Sequence, residues 1–347
     1  MKAIVKFAAG SQGVACRNLP IPEPPAGWIR VRVYAAGICG TDLHIIDDEY
    51  PCNMPVTLGH EYVGTVDKLG GGVNSFAVGD TVLSLACVDV CGKCEFCQAG
   101  LLMLCPHRRS IGSGLDGAMA EYVIVPANRA FRLPQDPSYE LALCEPLACC
   151  VRATKEIAKL RAGQMVFISG PGFIGQLILQ LAKRAGATVV VSGIKGDEAR
   201  LLQAKELGAD IVCLGEEQIS AALKALDISG FDVAFECAGV GASLQSCIQY
   251  SKKRGLIVQV GLFGRNVSCD LDAMLLKELT YKTTYGSNPE TWNMMLDMMD
   301  EKPFVLSPFV SGVFGPEAFD EALACARDRN QYKAVLCFKT QKQEENG

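Results

Sequence analysis

The stretch Met165-Val166-Phe167-Ile168-Ser169-Gly170-Pro171-Gly172-Phe173-Ile174-Gly175 decides how the second half of this chain folds. Met165–Ser169 is a short, unbroken apolar run, the pattern of a strand buried on both faces. The glycines at 170, 172 and 175 follow it directly, and Gln176 to Ala185 reads as a helix. Between a buried strand and a helix, Gly-x-Gly-x-x-Gly is a dinucleotide fingerprint. Its glycines permit a tight turn and close backbone approach, and a pyrophosphate sits at the helix N-terminus. Alone the motif is weak, and a strand–helix unit without nucleotide is its bland alternative.

Downstream, strands are predicted at Thr188–Ser192, Asp210–Cys213, Phe231–Glu236, Gly255–Val260 and Leu279–Thr284, with helices between them. Six strands in that alternation describe an α/β domain built on a doubly wound parallel sheet. Gly170, Gly172, Phe173, Ile174 and Gly175 are its candidate cofactor contacts, joined by Val260 and Gly261 at the end of the fifth strand.

The loop after the second strand bears on which dinucleotide is used. An acid for the adenosine ribose 2′-hydroxyl is expected about 20 residues past the glycines. This chain has Ser192-Gly193-Ile194-Lys195-Gly196 there. A missing acid beside a lysine favours a 2′-phosphate, hence NADP, held by Ser192, Lys195 and Arg200. A loop variant that still takes NAD is the alternative. Asp197 and Glu198 follow, and Gly196 is expected to turn them away as the start of the next helix.

Upstream, the pattern changes. Ala3–Phe7, Trp28–Ala36 and Gly59–Val66 read as short strands broken by Pro and Gly, as in a small barrel or sandwich. Within this part lie Cys39-Gly40-Thr41-Asp42-Leu43-His44 and Gly59-His60-Glu61, holding two of the three histidines in the chain. Cys39, His60 and Glu61 offer S, N and O donors, the ligand types of a catalytic zinc with one open position. Thr41 and His44 add a hydroxyl and an imidazole suited to proton transfer. Each residue alone reads as an ordinary buried cysteine or histidine; the cluster does not.

Cys91, Cys94, Cys97 and Cys105 follow at spacing Cys-x2-Cys-x2-Cys-x7-Cys. Four thiolates describe a closed structural zinc site in a lobe, residues 87–110, that depends on metal to fold. Iron–sulfur runs use other spacings. His107 is expected at the surface, outside the ligand shell. Glu145, in Cys144-Glu145-Pro146-Leu147, has two open readings. It completes or exchanges in the zinc shell, or it is a first-turn carboxylate of a helix.

A chain of 347 residues with 49% apolar and 20% charged residues has room for two domains with large cores. A net charge of −5 without a basic face argues against nucleic acid. No apolar run approaches membrane-spanning length, and no signal peptide is evident. Seventeen cysteines without those features point to reduced thiols, metal and the cytoplasm.

Taken in order, these pieces resemble the zinc-dependent medium-chain dehydrogenases, in their polyol and threonine dehydrogenase branch. The resemblance covers nearly the whole chain. It is most specific at Gly59-His60-Glu61-Tyr62-Val63-Gly64 with Gly70 and Val73, and extends to Asp116-Gly117, Ala120-Glu121-Tyr122 and Glu145-Pro146-Leu147. It implies a β-rich GroES-like catalytic domain over 1–150 and 288–347, with a Rossmann domain over 151–287 inserted in it. It implies two zincs per chain, the catalytic one on Cys39, His60 and Glu61 with Glu145 as an alternating or inner-shell ligand. By the same resemblance Asp42 orients His60, and Thr41 and His44 relay a proton. The implied reaction is hydride transfer between NAD(P) and a secondary hydroxyl of a polyol, sugar alcohol or sugar acid, in a homodimer or homotetramer. L-Threonine is the second choice of substrate. Glutamate at 145, where classical alcohol dehydrogenases have cysteine, argues against simple alcohols. Ala118-Met119 and Gly193 depart from the family pattern. An inactive zinc-stabilised protein has no use for Thr41 and His44 beside an open zinc, and a redox sensor would need paired cysteines among the remaining twelve.

Overall fold

A computed structural model describes residues 1–338. The chain divides into two compact units. One comprises Met1–Pro146, Ser287–Leu296 and the residues from Asp300 on; the other comprises Leu147–Gly286 with Asp297–Met299.

The first unit is built on the long strand Trp28–Gly37, whose inward positions Ile29, Val31 and Val33 are buried with Ile4, Leu58 and Tyr62. It pairs antiparallel with Glu61–Leu69, Tyr122–Pro126 and Lys333–Cys337. The register has one consequence for chemistry. Gly37 is paired with Glu61 on one side and with Val335 on the other. Cys39, His60–Glu61 and Lys333 therefore converge where three strands end or begin. A Cβ at Gly37 would lie 2.7 Å from Glu61 Oε2, so a larger residue there would displace that carboxylate.

The short helix Gly40–Ile46 leaves that strand end, with Cys39 as its N-cap. Asp42 closes the cap by accepting the Cys39 N–H at 2.8 Å. A side chain that reaches back to its own N-cap satisfies a donor the helix cannot. Thr41 and His44, three residues apart, fall on one helical face.

The second unit is a six-stranded, wholly parallel sheet. Its strands are β1 (Met165–Ser169), β2 (Thr188–Gly193), β3 (Ile211–Leu214), β4 (Phe231–Glu236), β5 (Ser251–Gln259) and β6 (Thr280–Thr283). The spatial order is β3-β2-β1-β4-β5-β6, the doubly wound arrangement with its switch point between β1 and β4. Phe167 stacks on Phe231 at 5.0 Å in its core. The glycine loop meets the helix earlier than its sequence indicates. Phe173–Arg184 is helical and Gly172 is the N-cap, so Phe173 and Ile174 belong to the first turn. No helix among the described residues is long and apolar enough to cross a membrane.

Candidate active site

One donor atom each from Cys39, His60 and Glu61 lies within 4.8 Å of the others. A thiolate, an imidazole and a carboxylate at that separation match the ligand types of zinc, and three of them leave a tetrahedral ion one position open. The electrostatics favour a cation. Burial disfavours a charged His60 ring, but Cys39, Asp42 and Glu145 outweigh it and hold the imidazole well above its ordinary pKa. Asp42 is fully buried. It accepts N–H groups from Cys39 and from Gly59, at 2.8 and 3.2 Å, and thereby joins the two loops that carry the donors. Its Oδ1 is 3.8 Å from His60 Nδ1, a charge contact longer than a hydrogen bond. Glu145 stands buried in the first turn of the helix Cys144–Val151, so it has the first-turn helical position. It is close enough to act on His60 yet outside the mutually close trio.

The four cysteines of the lobe form the second set. Sulfur separations are 3.5 Å for Cys94–Cys97, 3.7 Å for Cys91–Cys105 and 4.0 Å for Cys91–Cys97. Zinc–sulfur bonds of about 2.3 Å in a tetrahedron set the sulfurs about 3.8 Å apart, so the cage has the size of the ion. Backbone N–H groups of Lys93 and Cys94 hold the Cys91 thiol below its ordinary pKa, toward the thiolate a metal needs. His107 is exposed and takes no part in the set.

In the second unit each glycine of the fingerprint has its own reason. Gly170 has φ +108°, and a Cβ on it would lie 2.9 Å from Ala238 N. A Cβ on Gly175 would strike the Gly170 carbonyl oxygen at 2.1 Å. At Gly172 a Cβ would meet nothing within 4 Å, so the space before the helix N-terminus is open. That is where backbone N–H groups face a bound anion. Val260 and Gly261 both donate to the Glu236 carbonyl at 2.9 Å, which fixes the end of β5 against β4.

Two family models match this chain: the alcohol dehydrogenase GroES-like domain over residues 25–135, and the zinc-binding dehydrogenase domain over 174–301. The chain belongs to the zinc-binding dehydrogenases. It is 34% identical to a sorbitol dehydrogenase of Halalkalibacterium halodurans, over 97% of this chain and 99% of that one. It is 33% identical to a D-arabitol-phosphate dehydrogenase of Enterococcus avium, over 97% of each. A zinc-binding dehydrogenase from Sinorhizobium meliloti, solved with NADP bound, superposes with a TM-score of 0.87 at 32% identity, over 97% and 99% of the two chains.

Three features of this dehydrogenase are not foreseen from its sequence. Lys333 Nζ lies 2.6 and 2.7 Å from the two oxygens of Glu61, with both side chains buried. His44 Nδ1 is 2.6 Å from Glu49 Oε2. That contact completes a series in which consecutive acids have separate partners: Asp47 pairs with Arg327, Asp48 with Lys6 and Glu49 with His44. The third feature corrects an expectation. Gly196, at φ +99°, does turn the chain and Glu198 does begin a helix, but neither acid points away. Asp197 Oδ2 accepts the Ile194 N–H at 3.0 Å and Glu198 accepts the Gly196 N–H at 2.9 Å. Asp197 thus folds back beside Gly193, with its Oδ1 3.7 Å from Arg200. Ser192 is buried, whereas Lys195 is exposed.

Proposed function

We propose that this dehydrogenase oxidises a secondary hydroxyl of a polyol, sugar alcohol or sugar acid, with NADP favoured over NAD as hydride acceptor. The observation that carries the reading is the trio of Cys39, His60 and Glu61, set beside the helix that bears Thr41 and His44. Similarity to a sorbitol dehydrogenase and a D-arabitol-phosphate dehydrogenase supports the substrate class, and similarity to an NADP-bound relative supports the cofactor.

Bound zinc supplies a Lewis acid that makes a substrate hydroxyl easier to deprotonate, and the nicotinamide supplies the hydride acceptor. Cys39, His60 and Glu61 would hold the metal, with Glu145 as an alternative ligand. Asp42 keeps the two ligand loops together through the N–H groups of Cys39 and Gly59. Thr41 Oγ1 takes the substrate proton and His44 passes it to solvent. Glu49, on Nδ1, leaves Nε2 of His44 to receive that proton. Cys91, Cys94, Cys97 and Cys105 would hold a second zinc, which would stabilise the lobe. Gly170, Gly172, Phe173, Ile174, Gly175, Val260 and Gly261 would hold the dinucleotide, and Ser192, Lys195 and Arg200 would hold its 2′-phosphate.

The protein is a homodimer or homotetramer of the cytoplasm in this reading. All four residues of the edge strand β6 are exposed, and Leu271, Leu275 and Leu276 lie exposed nearby in sequence. Seventeen cysteines in one chain suit a reducing compartment.

Initial rates on a panel of polyols, polyol phosphates and L-threonine, each with NADP and NAD, test the substrate and the cofactor together. The highest kcat/KM is expected for a polyol-type substrate with NADP. A maximum at L-threonine would move the assignment to amino alcohols.

A further inference from the structure

The parallel sheet ends on a buried acid that none of the steps above uses. Glu236 is the last residue of β4 and is fully buried. It is paired with Ser169, the last residue of β1, across the switch point of the sheet. Dinucleotides bind at the carboxyl ends of such strands.

Its side chain holds one loop and its backbone carbonyl holds a second. Glu236 Oε1 accepts the N–H groups of Ala238 and Gly239, at 2.9 and 2.8 Å. Its backbone carbonyl accepts those of Val260 and Gly261. Oε2 makes no hydrogen bond and points at Gly261, where a Cβ would lie 2.6 Å away. Ser243 donates to Ser169 Oγ at 2.8 Å and fastens the neighbouring helix to the residue before the glycine loop. Ala238 in turn sits against Gly170. Burial raises the Glu236 pKa, and the N–H groups of Ala238 and Gly239 oppose it. A carboxylate in a sheet core is costly, and two N–H groups could be satisfied by a smaller neutral residue.

We propose that Glu236 is a positioning residue for the dinucleotide: its side chain fixes the 237–240 loop, which lies against Gly170 on one side and Leu262 on the other, so that the cofactor meets a preformed surface. This rests on the reading that the second unit binds a nicotinamide dinucleotide. If that loop wanders without Glu236, only a fraction of molecules is competent, and the apparent Kd rises by the inverse of that fraction.

The test uses the full-length, zinc-loaded protein and titrates NADPH by its fluorescence. Glu236→Asp keeps the charge but withdraws it by one methylene, and Glu236→Gln keeps an acceptor for both N–H groups. Glu236→Asp is expected to raise the NADPH Kd about tenfold or more, as for a competent fraction near one-tenth. Its KM for the polyol and its two zincs stay as in the wild type, and Glu236→Gln stays within about threefold of wild type on the same scale. Wild-type Kd values in both variants would overturn the proposal, as would a rise in polyol KM equal to the rise in NADPH Kd. Absence of NADPH binding in the wild type itself would instead overturn the dinucleotide reading. Since Asp preserves charge and hydrophilicity, loss of soluble protein in that variant alone would show that Glu236 serves folding, and would also overturn the proposal.

Discussion

Lys333 grips both carboxylate oxygens of Glu61, at 2.6 and 2.7 Å, where both side chains are buried. Glu61 is at once one of the three close candidate donors for a metal and half of a buried ion pair. A metal held by the trio would draw on the same carboxylate as Lys333, and the ion pair supplies the charge balance that lets an acid stay ionised inside the unit.

Replacing Lys333 with Met leaves Glu61 buried without that partner. Breaking a buried pair on one side costs about 3–5 kcal/mol. The expected result is a lower urea midpoint at unchanged slope. Burial lowers the Lys333 pKa, but Glu61 and Cys39 more than reverse this and hold it above its ordinary value. A raised lysine pKa gives stability that is present below the unfolded value, about 10.4, and lost only as pH rises through the folded one. The penalty of Lys333→Met should therefore be the same at pH 6 and pH 8, both about two or more units below that value. An unchanged midpoint would show that the pair contributes nothing.

In the lobe, Cys94→Ser opens a four-thiolate cage whose sulfurs already stand at zinc spacing. Such sites contribute to folding outright. One zinc should be lost, with a lower Tm and faster proteolysis between residues 87 and 110. Two retained zincs with an unchanged Tm would remove the lobe from the metal sites.

For the relay, His44→Ala should lower kcat by about 10²–10⁴-fold, with partial recovery in imidazole buffer. Glu49→Gln should lower kcat less, because the Nδ1 contact survives without its charge. Wild-type kcat in both variants would make His44 an ordinary helix residue.

The cofactor loop calls for a choice of variant. Gly193→Asp is the obvious change from the sequence, but a Cβ there would lie 2.8 Å from Asp197 Cβ and 3.0 Å from Pro171 Cγ. Lys195→Ala is cleaner, since Lys195 is exposed. Loss of one charge-assisted bond to phosphate, about 1.5–3 kcal/mol, should lower kcat/KM for NADP roughly ten- to a hundredfold and leave NAD nearly unchanged. Equal effects on the two cofactors would dissociate Lys195 from the 2′-phosphate.

Legibility followed the range of the interaction. Met165–Ser169 is a strand at the residues its apolar run marks, because burial on both faces leaves no polar ambiguity, and Phe231–Glu236 is one despite Asp232 and Glu236. β5 begins at Ser251, before the predicted Gly255, because the exposed Lys252, Lys253 and Arg254 read as a loop. His44 and His60 stand out because the chain has only three histidines and two fall in one short span with Cys39. Lys333 is 272 positions from Glu61, and only its place at the head of an apolar strand hints that its charge needs a buried partner. The turn of Asp197 back onto Ile194 depends on backbone angles around Gly196 that composition does not encode.

The most direct measurement is zinc per chain together with polyol-dependent reduction of NADP, on wild type and on Cys39→Ser. Two zincs and turnover are expected for the wild type. Cys39→Ser should keep a single zinc, fold as the wild type does and show no turnover. Turnover undiminished in Cys39→Ser, or a wild-type chain that holds zinc only in the four-cysteine lobe, would contradict the assignment of Cys39, His60 and Glu61 as the catalytic metal site.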